Sequence, residues 1–186
     1  MSKKRQIPEV ETLSEESKKL YDVLNNESDL ACVLIAANYL DYALASLLKR
    51  HFIESSAVNK LLDPPGGALS TFAGRSDLAY CLGLIPKGLY QNLETIGQIR
   101  NAFAHSYLSL ELDDSEIKKL VDKLIPPTVH QSVTVDEDGV RQSGPTSLSI
   151  NGSSRDRFDL IVVLMVNRLL LTGLSVKHKE KQIKGW

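Results

Sequence analysis

The chain of 186 residues has few residues that bind metals or form disulfides: two cysteines and four scattered histidines. The histidines are His51, His105, His130 and His178. None of them forms a Cys/His pair with the spacing of zinc ligands, so neither a metal site nor a cofactor is predicted. Cys32 and Cys81 lie in apolar segments of helical appearance, which predicts two buried, reduced thiols and a cytoplasmic protein.

The sequence also lacks an excess of charge of either sign. Its 22 Lys and Arg residues nearly balance 23 Asp and Glu residues, and the formal net charge is -1. Proteins that hold duplex DNA by releasing counterions need a strongly positive surface. Direct binding to duplex DNA is therefore not expected.

A segment that would carry the chain to or across a membrane is not evident either. The N-terminal residues are basic but are not followed by the apolar segment of a secretory signal. The longest apolar run, LIVVLMVNRLLLTGL, is short for a bilayer span and contains Asn167 and Arg168. It predicts a core helix, and no membrane partner is expected.

Apolar residues recur at spacings of three and four along most of the chain, which predicts an all-α, single-domain bundle of five to seven helices. The predicted layout is a flexible N-terminus (1–12), a helical domain (13–175) and a basic tail (176–186). Within the domain, TVHQSVTVDEDGV alternates β-branched and polar residues and ends in an Asp-Gly turn signal. It predicts a short irregular or β-hairpin excursion at 128–152. Asp113 and Glu116 have the spacing of a capping box and predict the start of another helix.

The stretch IGQIRNAFAHSYL contains the most unusual polar residues of the chain. Leu89, Leu93, Ile96, Arg100 and Phe103 step by three and four, which puts Arg100 in a slot of the apolar stripe. In one interpretation Arg100 and His105 form a metal-free site that cleaves RNA, the guanidinium stabilising charge and the imidazole moving protons. In the other, which spacing alone favours, Arg100 pairs with Asp41 in the core and His105 lies at the helix end.

The segment RSDLAYCLGLIPKGLYQNLETIGQIR has the order helix, glycine turn, helix, which superficially matches a helix-turn-helix motif. Its second helix is mostly apolar, and the exposed side is acidic. A recognition helix needs exposed groups that read bases and bind phosphates. We therefore expect a hairpin of the core and not a DNA-reading motif.

The central sequence LSTFAGRSDLAYCLGLIPKGLYQNLETIGQIRNAFAHS resembles the mannitol operon repressor family (MltR, also written MtlR). NYLDYALASLLKRHF upstream and a C-terminal helix after LIPP also fit that family, and the likeness extends over roughly 28–174. The resemblance implies an all-helical transcriptional regulator, a repressor or corepressor without its own DNA-binding motif. Such a protein acts through a protein partner, and a homodimer is expected.

A second, shorter resemblance concerns the same helix. Arg100-Asn-x-x-x-His105 is similar to the Arg-x4-His motif of HEPN domains, which include dimeric, metal-independent ribonucleases. This resemblance implies an alternative function as a ribonuclease, with Arg100 and His105 catalytic, Asn101 supporting them, and RNA as a partner. Asp41, Arg75 and Asp77 are the other polar residues in the matching stretches. We expect them to be structural partners, and the sequence leaves open which arginine pairs with which acid.

Overall fold

The computed structural model describes residues 7–63, 66–106, 110–130, 134–135, 141–142, 145–147 and 152–176. Seven α-helices form in these ranges, which confirms the prediction of an all-α bundle. The helices are α1 (Val10–Asn26), α2 (Asp29–His51), α3 (Ser56–Leu62), α4 (Phe72–Cys81), α5 (Lys87–His105), α6 (Ser115–Lys123) and α7 (Ser154–Ser175).

The two most apolar helices, α2 and α7, pack against each other at the centre of the bundle, and α1 packs on both. On the other side of α2 lie α4 and α5, and α6 joins α5 to α7. By length and composition alone α2 and α7 are each long enough to span a bilayer. About half of each apolar window is buried inside the fold, 56% in α2 and 50% in α7.

The first helix begins earlier than the boundary at residue 13 that the sequence predicted. Val10 is the first residue of α1, and both Ile7 and Val10 are buried. The cause is a close contact with α7, because a Cβ added to Gly173 would lie 3.0 Å from a methyl group of Val10. The glycine lets α1 approach α7, and the resulting burial orders residues that look frayed in the sequence.

The predicted excursion contains two short antiparallel strand pairs. Strand β1 (Thr128–His130) pairs with β4 (Pro145–Ser147), and β2 (Thr134–Val135) pairs with β3 (Arg141–Gln142). The nested order is that of a hairpin leading into α7. The predicted basic tail, with Lys177, Lys179, Lys181 and Lys184, lies outside the described residues.

The capping box predicted at Asp113 and Glu116 was wrong. Asp114 is the N-cap of α6 and its side chain makes no capping hydrogen bond. The Asp113 carboxylate instead accepts a hydrogen bond from Ser154 Oγ at 2.6 Å, at the start of α7. A capping box does form at that helix, between Ser153 and Asp156. Spacing alone does not distinguish a local cap from a contact with a distant helix.

The two cysteines differ in exposure. Cys32 is fully buried between α2 and α7, as predicted, but Cys81 is exposed, so the prediction of two buried thiols was wrong for the second. Cys81 is the last residue of α4, where the helix turns into the link to α5. The core side of that turn is filled by Ala79 and Ile85, which leaves the thiol on the outer side.

Candidate functional site

A polar cleft of about 750 Å³ lies between α2, α4 and α5. Six polar residues contribute to its lining, two from each of three neighbouring segments. They are Asn38 and Asp41 of α2, Ser70 and Thr71 before α4, and Arg100 and Asn101 of α5. Apolar side chains, among them Leu34 and Phe72, form the rest of the wall. A volume in this range suits a small ligand or a side chain of a partner protein.

Arg100 reaches this cleft because it lies on the surface, and its predicted place in the apolar stripe of α5 was wrong. The buried stripe runs through Ile96, Ile99 and Phe103, while Arg100 is exposed. Its Nη1 atom donates a hydrogen bond to Oδ1 of Asn101 at 2.9 Å. Burial of Ile99 in place of a guanidinium avoids the large cost of desolvating an unpaired charge.

His105 is the last residue of α5 and is exposed. It does not belong to the lining of the cleft that Arg100 and Asn101 share. On a regular helix the directions of residues 100 and 105 differ by about 140°. The structure of one chain therefore brings Arg100 and Asn101 together, and it places the imidazole at a different part of the surface.

Asp41, which lines the cleft, pairs with Arg75 and not with Arg100, the partner that spacing alone favoured. Nη1 of Arg75 lies 2.6 Å from Oδ2 of Asp41, so the expected core pair between Arg100 and Asp41 does not form. The other guanidinium nitrogens donate to backbone carbonyls, Nε to Leu69 at 2.8 Å and Nη2 to Leu62 at 2.6 Å. Arg75 is 2% exposed. It holds the segment between α3 and α4 against α2 and so shapes one wall of the cleft.

The second carboxylate oxygen of Asp41 is less well satisfied. Oδ1 is buried and has no hydrogen-bond partner among the described residues. A buried acceptor without a donor costs about 1–3 kcal/mol. Among the described residues only Arg75 forms an ion pair with Asp41, which makes this pair sensitive to the loss of either partner.

Asp77, the remaining predicted polar residue, lies on another surface, formed by α4 and α5. Its Oδ1 accepts a hydrogen bond from the Tyr90 hydroxyl at 2.9 Å, and Glu94 Oε1 lies 3.3 Å from the same hydroxyl. The hydrogen bond to Asp77 is the main cause that raises the pKa of Tyr90 to about 12. The ring of Tyr80 stacks on that of Tyr90, with centroids 4.6 Å apart and planes inclined by 11°.

A polar cluster that was not predicted from the sequence joins the two ends of the fold. Arg155 of α7 donates from Nε to Asp159 at 2.9 Å and from Nη2 to the carbonyl of Glu27 at 3.0 Å. It also contacts Asp29 and the carbonyl of Leu24. The spacing of four between Arg155 and Asp159 on an otherwise apolar helix is the signal that could have indicated this cluster.

Cys32 belongs to the same cluster. Its Sγ donates to Oδ1 of Asp159 at 3.1 Å. Burial is the main cause that raises the pKa of the thiol well above its usual range, and the Asp159 carboxylate adds to it. Reactive cysteines have lowered pKa values, so this thiol has a structural role.

The described residues give little basis for metal or covalent chemistry. They contain no group of three or more His, Cys, Asp or Glu side chains that could hold a metal ion. The carboxylate that lines the cleft is tied to Arg75. What the cleft offers is a set of hydrogen-bonding side chains next to exposed apolar residues, an arrangement suited to binding.

Comparisons with known proteins agree with this description. The family model described as "MtlR: Mannitol repressor" matches residues 16–170. Among solved structures, the chain is similar to one described as the X-ray structure of the MtlR-HPr complex from Escherichia coli. The TM-score is 0.62 at 19% sequence identity, and the match covers 83% of this chain and 98% of that chain. No curated protein matches the chain significantly.

Proposed function

This chain belongs to the MtlR family of mannitol repressors, and we propose that it regulates transcription by binding a protein partner, HPr, instead of reading DNA itself. The observation that carries the proposal is the family match over 155 residues, from 16 to 170. The similar structure from Escherichia coli, described as a complex with HPr, supports the choice of partner.

The α4–α5 hairpin supports a role without direct DNA binding. One of the two arginines of this hairpin, Arg75, is buried in the core and cannot contact a phosphate group of DNA. Along the exposed side of α5, the cations Lys87 and Arg100 are separated by the acid Glu94. Recognition helices instead present several exposed cations and base-reading groups on one face. With a net charge of -1, the protein also has no general electrostatic attraction to DNA.

We further propose that the protein works as a homodimer in the cytoplasm. Half-buried apolar helices and a polar, mixed-charge surface support a soluble regulator. The ribonuclease alternative, with Arg100 and His105 acting on RNA, rests on the HEPN resemblance alone. It gains no support from the family match or from the separate positions of the two side chains.

Calorimetry and DNA-binding assays test this proposal together. We expect the full chain to bind HPr from its own organism with a dissociation constant on the order of 1 μM. Duplex DNA carrying its own promoter should show no submicromolar binding at physiological salt. An unrelated acidic protein of the same size serves as the control for HPr. Tight promoter binding without HPr, or no heat of binding with HPr, would contradict the proposed mechanism.

A further inference from the structure

Apart from the lining of the cleft, α4 and α5 present an exposed surface that none of the described helices covers. Tyr80 and Leu82 are each 38% exposed. The ring of Tyr90 stacks against Tyr80 at the centre. Asp77 and Glu94 lie at the edge of the ring pair. We call these five residues the Tyr80–Tyr90 surface.

Two carboxylates lie beside one hydroxyl at this surface. The Tyr90 hydroxyl lies 2.9 Å from Asp77 Oδ1 and 3.3 Å from Glu94 Oε1, but a phenol has one proton to donate. It can satisfy only one of the two carboxylates at a time. The other carboxylate is exposed and takes its hydrogen bonds from water. Glu94 can therefore accept a hydrogen bond from a cation of a partner chain.

The chain itself carries such a donor on the same face. Lys87 is exposed, and the structure gives it no ion-pair partner among the residues it describes. On α5, Lys87, Tyr90, Gln91 and Glu94 follow spacings of three and four, so they form one stripe. Lys87 and Glu94 are seven residues, or about 10 Å, apart along the helix, too far to pair within one chain.

Resting on the homodimer proposed above, we infer that the Tyr80–Tyr90 surface is where two copies of this chain meet about a two-fold axis, with Lys87 of each copy paired to Glu94 of the other. If two α5 helices lie antiparallel and the axis passes between positions 90 and 91, residue 87 of one faces residue 94 of the other. The same symmetry produces this pair twice. A surface that is complementary to itself is the requirement for a symmetric dimer interface.

The parts of the surface have different roles in this dimer. Stacked tyrosines and Leu82 at the centre supply the apolar area, and buried tyrosines commonly dominate the binding energy of interfaces. The two ion pairs at the rim contribute less affinity and fix the relative orientation of the copies. In the dimer the exposed Glu94 carboxylate exchanges water for the Lys87 ammonium group of the other copy.

A charge-exchange experiment tests this interface in the full chain by analytical ultracentrifugation. We expect the wild-type chain to sediment as a dimer at concentrations on the order of 10 μM. Lys87→Glu and Glu94→Lys should each weaken the dimer about 10-fold or more, because two like-charge contacts replace two ion pairs. The double variant should recover to within about 3-fold of the wild type, since it restores both pairs with reversed charges.

Two further variants complete the test. Tyr80→Ala should weaken the dimer without any change of charge, and circular dichroism checks that each variant folds. Lys119→Glu, an exposed charge reversal on α6, should leave the dimer unchanged. A wild-type chain that stays monomeric at about 100 μM would overturn the inference. A dimer that the single variants leave intact, or that the double variant fails to restore, would overturn it as well.

Discussion

Nη1 of Arg75 lies 2.6 Å from Oδ2 of Asp41, and the two residues join α4 to α2 beneath the polar cleft. The arginine is almost fully buried, and its other nitrogens bind the carbonyls of Leu62 and Leu69. The Arg75 side chain thus holds Asp41 of α2 and the segment between α3 and α4 in place. Its loss removes all of these contacts at once.

Replacing Arg75 by methionine should lower the free energy of unfolding by about 3–5 kcal/mol, because Asp41 is left as an uncompensated, partly buried charge. Urea unfolding measures the loss. Arg100→Met is the matched control, and because Arg100 is exposed its free energy of unfolding should change by no more than about 0.5 kcal/mol. Equal losses in the two variants would contradict the assignment of the buried arginine.

Arg155→Met should cost a similar amount, about 3 kcal/mol, since the side chain of Asp159 is buried and loses its cationic partner. The variant also frees the carbonyl of Glu27 at the end of α1. Arg168→Met on the same helix is the control, because Arg168 is exposed. Urea unfolding of both variants should show a loss only at position 155.

The capping box of α7 should make stability depend on pH in the acid range. Hydrogen bonds from the side chain and backbone of Ser153 hold the pKa of Asp156 below its ordinary value of 3.8. The stabilising contribution is therefore present at neutral pH and is lost as pH falls through the lowered pKa. The melting temperatures of wild type and Asp156→Ala should differ at pH 7, and the difference should shrink as the pH falls below 3.8 and through the lowered pKa. For Gln98→Ala, an exposed control on α5 without an ionisable group, the difference should stay constant.

Gly67→Ala should destabilise the fold by about 1–3 kcal/mol, the usual cost of overpacking. An added Cβ would lie 2.4 Å from the carbonyl oxygen of Leu61, and backbone atoms cannot move aside cheaply. Gly88→Ala is the control, because nothing lies within 4 Å of its added Cβ. Thermal unfolding should show a lower melting temperature for the first variant and an unchanged or slightly higher one for the second.

A regulator that works through HPr should not cleave RNA. Labelled RNA incubated with the folded chain in excess EDTA should stay intact, and the result should be the same for His105→Ala. The reason is geometric, since Arg100 faces the cleft and His105 does not belong to it. Cleavage that disappears in the His105 variant would instead establish the HEPN-like activity.

The main helices could be predicted because their buried residues recur at the period of an α-helix. The apolar residues of α2, α5 and α7 recur every three or four positions, and the structure has helices there. The same periodicity led to the wrong prediction that Arg100 lies in the buried stripe of α5. Steps through 96, 100 and 103 and steps through 96, 99 and 103 both fit a helix, and only the cost of burying a guanidinium selects Ile99.

The polar contacts of the site were harder to predict because they join distant parts of the chain. Asp41 and Arg75 are 34 positions apart, and Arg155 contacts residues of α1 and α2. Sequence spacing describes neighbours on one helix, whereas these pairs depend on how helices pack. The exposure of Cys81 has the same origin, since the outer side of a helix end is set by the element that follows it.

The contacts of α7 with α1 and α2 also determine the order of events during synthesis. Arg155 binds the carbonyl of Glu27, which leaves the ribosome 128 residues earlier. Until α7 emerges, the side of α2 that packs on α7 stays uncovered, and exposed apolar faces of this kind aggregate or recruit chaperones. A nascent chain stalled before residue 154 should therefore remain bound to a chaperone. Completion of α7 is the step that releases it.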